Sequence, residues 1–282
     1  MCRGVAVLLF VLPLTLVPAV QAADSCGERV SVQSHKGTTM HYSVAAPSGK
    51  SAKPAALVLL AGGSGYLDLD DKGCPRLLTG NSLVRSAAIF RELGFTTALV
   101  DAPSDYTGED GLGGFRAAPA HAEDLGLVIA GLRKRTGGAV WVVGTSRGTI
   151  SAANAAARLS GDSAPDGVVL TSVLTVGDTG QKRAWVAQTI YDVPLDSIRI
   201  PALMVGHEKD LCRRSPPTEM HKVADGIGSA RKQVVVVTGG AGRESGAQPG
   251  LAACKGQSPH GFMGQEAEVA AGIARFVRGG SY

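Results

Sequence analysis

Short runs of apolar and β-branched residues alternate along the chain with longer stretches that have the residue spacing of helices. Several runs are continuously hydrophobic, which is typical of parallel strands covered on both faces, and the stretches between them are long enough for crossover helices. This alternation predicts an α/β fold, with a mostly parallel central sheet flanked by helices on both faces. The predicted strands are residues 55–60, 95–100, 139–143, 167–174, 201–205 and 233–237.

The remaining segments complete this plan. Residues 28–33 and 38–44 precede the first parallel strand and predict an antiparallel pair at the sheet edge. Two connections are longer than those of most compact α/β domains, and long loops are usually functional: residues 177–199 are a candidate small cap, and residues 238–260 are rich in glycine. The predicted helices are residues 82–93, 118–135, a segment starting at Arg147, 217–227 and 264–277.

The first 22 residues have the pattern of a cleavable secretory signal. Arg3 precedes an apolar run that contains Pro13 and Pro18, and a stretch of small residues follows up to Ala22. The run is shorter than the roughly 20 apolar residues that span a bilayer. We therefore expect cleavage after Ala22, a single domain over residues 23–282 without stable membrane insertion, and a secreted or periplasmic location.

Loss of this signal removes Cys2 and leaves Cys26, Cys74, Cys212 and Cys254. An even number of cysteines in an exported chain predicts two disulfides, and three pairings are possible. A structural zinc site is the alternative, but the close Cys-x-x-Cys spacing typical of such sites is missing. We expect no metal.

Composition excludes several classes of partner. The formal net charge is +4 with acids and bases interspersed, which is too small to indicate binding to nucleic acid. The Gly-rich loop 60–65 is not followed by the Gly-Lys-Ser/Thr of a phosphate-binding loop, so it does not predict a nucleotide site. We therefore expect no cofactor.

Ser146 is the candidate nucleophile and lies at the centre of the segment Gly144-Thr145-Ser146-Arg147-Gly148. In a chain with 38 glycines the bare motif is weak evidence, so its context decides. The apolar run 139–143 leads directly into the motif, and the small residues 151–157 continue it as a helix. This order of strand, turn and helix is the one that exposes a nucleophilic serine on a strained turn. Such a serine needs a base and an acid that orients the base.

Together with two later loops, this motif resembles the α/β-hydrolase superfamily, in which serine, acid and histidine follow one another along the chain. Gly-His-Glu-Lys-Asp at 206–210 resembles the family's acid turn, and Ser-Pro-His-Gly-Phe at 258–262 resembles its histidine loop. The resemblance spans nearly the whole mature chain and implies the α/β-hydrolase fold with little or no cap domain. It also implies a catalytic triad of Ser146, Asp210 and His260.

Two triad positions have alternatives. Glu208 lies in the same turn as Asp210, and His221 also follows the acid, although within a predicted surface helix. The other histidines are most simply interpreted as surface or packed side chains: His35, His41 and His121.

The same resemblance implies an oxyanion hole. Its two backbone N–H donors are those of Arg147 and Gly63, with Ser64 in reserve, because the loop 60–65 resembles the family's His-Gly-Gly element. Ala61 stands where many members carry histidine. For the Arg147 side chain we expect a structural ion pair, with a substrate carboxylate as the alternative partner, and for Asp101 we expect a loop-capping role.

In this fold the acid and histidine loops meet, so the resemblance favours the disulfide Cys212–Cys254 and leaves Cys26–Cys74 as the other. The acyl pocket is expected to be modest. Its candidate residues are Ser64, Tyr66 and Phe262, with Phe115 and Trp185 on segments that reach its mouth.

The resulting hypothesis is a serine hydrolase of the carboxylesterase kind that acts on a small-molecule acyl substrate, an ester or thioester, through an acyl-enzyme intermediate. Two alternatives remain open: a peptidase or amidase on the same fold, and a catalytically silent binding protein.

Overall fold

The computed structural model describes Met1 and residues 26–50, 54–240 and 249–282. The predicted signal segment after Met1 and part of the Gly-rich loop, residues 241–248, lie outside the described residues. The described chain forms one eight-stranded sheet. Its strands are β1 (Glu28–Gln33), β2 (Thr39–Ala45), β3 (Ala55–Leu60), β4 (Thr96–Val100), β5 (Ala139–Thr145), β6 (Gly167–Thr171), β7 (Ala202–His207) and β8 (Lys232–Val237).

The strand order is β1-β2-β4-β3-β5-β6-β7-β8. The β1–β2 and β2–β4 pairs are antiparallel, and every other pair is parallel. The predicted antiparallel edge and mostly parallel sheet are therefore confirmed. β6 ends at Thr171 rather than at the predicted residue 174, because Ser172 turns the chain with a φ of 47°.

Within the described residues, five α-helices cover the two faces of the sheet: α1 (Ser82–Glu92), α2 (Pro119–Thr136), α3 (Gly148–Arg158), α4 (Met220–Gly226) and α5 (Glu266–Val277). Residues 177–199 contain only short 3-10 turns and build no separate cap domain. None of the helices in the described part of the chain combines the length and the hydropathy needed to cross a bilayer.

The sheet separates two hydrophobic cores, and alternate strand residues enter opposite ones, as the two-residue period of a strand requires. In β3, Ala56 and Val58 join the core beneath α2, α3 and α4, whereas Leu57 and Leu59 join the core beneath α1 and α5. Because both faces are buried, the continuous hydrophobic runs are explained. The loops after the parallel strands meet at the carboxyl edge of the sheet, where such folds build their sites.

His35 connects the antiparallel edge to α2. Its Nδ1 lies 2.6 Å from Asp124 Oδ2, its Nε2 lies 3.1 Å from Asp105 Oδ2, and its ring packs against Phe115. Burial by itself lowers the pKa of His35, but the hydrogen bonds and charges of the two aspartates raise it above its usual value. Burial raises the pKa of Asp124 as well, although the hydrogen bonds and the charge of His35 lower it.

Both shifts mean that the folded protein holds a proton here more tightly than the unfolded chain. The stabilisation of the folded protein by the protonated His35–Asp124 pair is therefore complete below the unfolded-state pKa of histidine. It is lost as pH rises through the raised folded-state pKa of His35. We expect His35→Gln to lower the free energy of unfolding by about 1 to 3 kcal/mol at pH 5.5 and by less at pH 8.5. Urea unfolding at both pH values measures this, with exposed His221→Gln as control. An equal loss at both pH values would contradict the prediction.

Candidate active site

Ser146 occupies a strained turn between β5 and α3. Its φ of 52° lies in the left-handed region that non-glycine residues rarely adopt. Its N–H donates to the Thr171 carbonyl at 2.9 Å, which fixes the turn to β6. A Cβ at Gly148 would lie 2.1 Å from the Leu60 carbonyl oxygen, and one at Gly144 would lie 2.3 Å from that of Gly148. The two motif glycines are thus needed for close approach of strand and helix.

Asp210 and His260 form a buried pair although 50 residues separate them. Asp210 follows β7, and its Oδ2 accepts a hydrogen bond from His260 Nδ1 at 2.8 Å; the two side chains are only 1% and 4% exposed. The other carboxylate oxygen, Oδ1, accepts from the Cys212 N–H at 2.8 Å. The alternatives, Glu208 and His221, are both exposed, so the structure brings Asp210 and not Glu208 to His260.

The His260 ring is held with one nitrogen available. Ser172 Oγ donates to the His260 carbonyl at 2.7 Å, and Nδ1 is engaged by Asp210. Nε2 is buried and makes no hydrogen bond within the described residues. It can therefore accept a proton, and the Asp210 carboxylate would stabilise the imidazolium that results.

Ser146 and His260 both line one open cleft of about 680 Å³. Gly62 and Gly63 form one side of it, whereas segments 78–82 and 252–261 form much of the remaining wall. Among the wall residues that the sequence did not single out are Asn81, Lys255 and Gln257. In the sequence, the unusual length of the loop 238–260 indicates a functional role for one part of this wall. Segment 78–82, the other part, carries no sequence motif.

The predicted pocket residues lie around this cleft rather than among the side chains that line it. Ser64 and Tyr66 follow β3, where the Ser64 carbonyl accepts from the Leu112 N–H at 2.8 Å and the Tyr66 hydroxyl donates to Asp68 at 3.2 Å. Phe262 is 2% exposed in the core beneath α1 and α5. Its side chain therefore packs in that core.

The backbone N–H groups of Gly63 and Arg147 have no protein acceptor among the described residues. The loop after β3 lies directly against the nucleophile turn, because a Cβ at Gly62 would lie 2.9 Å from Ser146 Cβ. Gly63 adopts a φ of 61°, which favours glycine. The two residues expected to donate to an oxyanion therefore both flank the candidate nucleophile.

Arg116 anchors this loop where Ala61 provides no side chain to do so. It is 3% exposed, and its guanidinium donates to the Ala61 carbonyl at 3.0 Å, the Gly63 carbonyl at 3.4 Å and Ser151 Oγ at 2.9 Å. Burial, with a smaller effect from Arg147, lowers the pKa of Arg116 to about 9. No local sequence pattern marks Arg116 for this role, since 55 residues separate it from Ala61.

A second arginine, Arg147, lies over an aromatic ring. Its guanidinium carbon is 3.9 Å from the centroid of the Trp185 ring, and no carboxylate of the described chain lies within 4.0 Å of it. The expected structural ion pair is therefore wrong, because the segment 177–199 presents a tryptophan here instead of an acid. Asp101 caps the loop after β3 by accepting from the Leu67 and Leu69 N–H groups at 2.6 and 3.0 Å, as expected.

Both disulfides are present with the pairing implied by the resemblance, Cys26–Cys74 and Cys212–Cys254. The second joins the loop of Asp210 to the loop of His260. Asp210, Cys212 and His260 bring potential ligand atoms within 4.8 Å of one another. This set does not fit a metal centre, because the Cys212 sulfur is bonded to Cys254 and is not a thiolate.

We expect the double variant Cys212→Ala/Cys254→Ala to lose about 4 kcal/mol of unfolding free energy, the loop-closure value for a cross-link of this span, and to increase hydrogen exchange at residues 255–261. Urea unfolding and mass-spectrometric exchange measure the two effects. The matched control is Cys26→Ala/Cys74→Ala, which opens a loop of similar length, 48 against 42 residues. Equal exchange at 255–261 in both double variants would show that the second disulfide does not order this loop.

No protein-family model and no curated protein matches the chain. Solved structures do match. A lidless α/β serine hydrolase from Xanthomonas campestris superposes with a TM-score of 0.56 at 16% identity, over 89% of this chain and 94% of its own. Est1E from Butyrivibrio proteoclasticus, with ferulic acid bound, superposes with a TM-score of 0.58 at 12% identity, over 88% of this chain and 98% of its own. Esterase 2 from Thermogutta terrifontis superposes with a TM-score of 0.58 at 13% identity, over 91% of this chain and 96% of its own.

Proposed function

Because the chain has the α/β-hydrolase fold, we propose that it is a serine hydrolase that cleaves an ester or thioester through Ser146, Asp210 and His260. The observation that carries the proposal is the buried Asp210–His260 hydrogen bond beside a cleft that Ser146 also lines. The three similar solved structures are those of esterases or serine hydrolases, which supports an ester as the substrate.

In the proposed reaction, His260 Nε2 takes the proton of the Ser146 hydroxyl as Oγ attacks the acyl carbonyl carbon. The N–H groups of Gly63 and Arg147 stabilise the oxyanion that forms. The tetrahedral intermediate collapses, the alcohol or thiol leaves with the proton from His260, and the acyl group remains on Ser146. Water, deprotonated by His260, then attacks the acyl-enzyme, releases the acid and restores the serine.

The hydrogen bond between Ser146 Oγ and His260 Nε2 is not formed in this structure, since Nε2 has no partner. Catalytic hydrogen bonds of ligand-free enzymes often tighten only when substrate binds. The proposal therefore includes a reorientation of the Ser146 hydroxyl toward Nε2 as the acyl group enters the cleft.

The disulfides support a place of action. Cross-links of this kind form and persist in oxidising compartments, and the structure contains two of them. We propose that the enzyme acts after export, in the periplasm or outside the cell.

We expect a fluorophosphonate probe to label the purified mature protein at Ser146, because only an activated serine reacts with such a probe. Ser146→Ala is expected to abolish labelling, and His260→Ala to reduce it strongly. Mass spectrometry of the labelled peptide identifies the site. Ser43→Ala, which changes a buried serine of β2 outside the cleft, is the control for folding. Folded wild-type protein without a label on Ser146 would overturn the proposal in favour of a silent binding protein.

Substrate panels then separate an esterase from a peptidase. We expect short 4-nitrophenyl esters and thioesters to be hydrolysed with a kcat/KM at least about a hundredfold above that for aminoacyl 4-nitroanilides, with both activities lost in Ser146→Ala. Release of nitrophenol and nitroaniline is followed by absorbance. A preference for the anilides would reverse the assignment to a peptidase or amidase.

Arg116 has a place in the same proposal as a positioning residue, because its guanidinium binds the carbonyls on both sides of Gly62 and so fixes the N–H of Gly63. We expect Arg116→Met to lower kcat roughly tenfold to a hundredfold with a smaller change in KM, and Arg116→Lys to restore part of the loss. The affinity for a trifluoromethyl ketone, which mimics the oxyanion, is expected to fall in parallel with kcat/KM. A loss of thermal stability without a change in either quantity would limit Arg116 to a structural role.

A further inference from the structure

Arg147 is a cation without a partner immediately beside the proposed nucleophile. Its side chain is half-buried, and it makes neither a hydrogen bond nor an ion pair with any described residue. Its nitrogens are nevertheless absent from the set of buried polar atoms that lack a partner, so solvent still reaches them. Arg147 does not line the cleft of Ser146 and His260, but its guanidinium follows the nucleophile directly in the chain and keeps donors that a ligand can reach.

The ring of Trp185 lies under this guanidinium, with its centroid 3.9 Å from the central carbon. The indole is itself confined, because a Cβ at Gly113 would lie 2.8 Å from two of its ring atoms. A cation stacked on an aromatic face keeps its in-plane N–H groups free for a ligand. The planar arrangement of those donors matches the two oxygens of a carboxylate.

The surroundings of Arg147 are positively charged. Arg214 uses its donors on the carbonyls of Val176 and Val186, and Arg116 uses its own on the loop after β3 and on Ser151. Neither has a carboxylate within 4.0 Å in the described chain. The nearby acid, Asp110, is paired with Arg183.

Partial burial has an electrostatic cost that these neighbours increase. Desolvation, with the charge of Arg214, lowers the pKa of Arg147 to about 10, although Asp110 opposes the shift. The side chain therefore remains charged at neutral pH. A half-buried charge without a counterion is costly, and an anion bound from outside would remove that cost.

We propose that Arg147 binds a carboxylate of the substrate, so that this enzyme prefers esters that carry a negative charge over neutral esters of the same shape. The proposal rests on the hydrolase function proposed above and names the substrate class for the same site. Because Arg147 directly follows Ser146, the carboxylate belongs either to the acyl group or to the leaving group, and two substrate pairs distinguish these positions.

The first pair places the charge on the acyl side: the mono-4-nitrophenyl ester of adipic acid and the methyl ester of the same compound. The second places it on the leaving group: 4-acetoxybenzoate and its methyl ester. We expect wild-type protein to have a higher kcat/KM for the charged member of at least one pair. In Arg147→Met the ratio of charged to neutral kcat/KM is expected to fall about tenfold to a hundredfold, and Arg147→Lys should retain part of the preference.

Two controls separate local recognition from overall charge. Lys134→Met removes one positive charge from an exposed position on α2 and is expected to leave the ratio unchanged. Added NaCl is expected to leave most of the ratio in wild-type protein intact, because salt screens the long-range field of exposed charges more strongly than a contact between a half-buried guanidinium and a bound carboxylate.

Wild-type protein that hydrolyses the neutral esters without any preference for a charged member would overturn the inference and leave the proposed function standing. A preference that persists in both Arg147→Met and Arg147→Lys would likewise overturn the role of Arg147. Absence of turnover and of Ser146 labelling in folded wild-type protein would instead remove the hydrolase function.

Discussion

The close approach of β3, β5 and α3 is the constraint on which the candidate site depends. Ser146 keeps an unfavourable backbone conformation only because its neighbours enforce it: β6 binds its N–H, and glycines let α3 pass against the end of β3. The same contact presses Gly62 against the serine. The turn that exposes the hydroxyl thus also determines where the free N–H groups lie, so one packing contact sets the relative position of two functional parts.

The alternation of apolar runs and helical stretches was sufficient to predict the sheet, because burial on both faces leaves a strong pattern in each strand. The order of Ser146, Asp210 and His260 was accessible for a related reason: each lies directly after a predicted strand or before a predicted helix. The pairing of Cys212 with Cys254 followed from the resemblance, since the sequence itself allows three pairings.

Contacts that depend on the path of loops could not be predicted from the sequence. Arg116 supports the loop after β3 across 55 residues, and no local sequence pattern distinguishes it from the other arginines of the chain. The ion pair predicted for Arg147 was wrong because the conformation of residues 177–199 decides which side chain lies against its guanidinium. The length of that segment indicated function, whereas the position of Trp185 depends on contacts with Gly113 that only the fold creates.

The two disulfides join cysteines that are consecutive along the chain, and their loops do not overlap. The residues from 26 to 74 are enclosed by one cross-link and those from 212 to 254 by the other. An oxidant that joins thiols in their order of appearance therefore produces the native pairing directly. In a chain from which Cys2 has been removed, forming the two cross-links in this order needs no exchange between them.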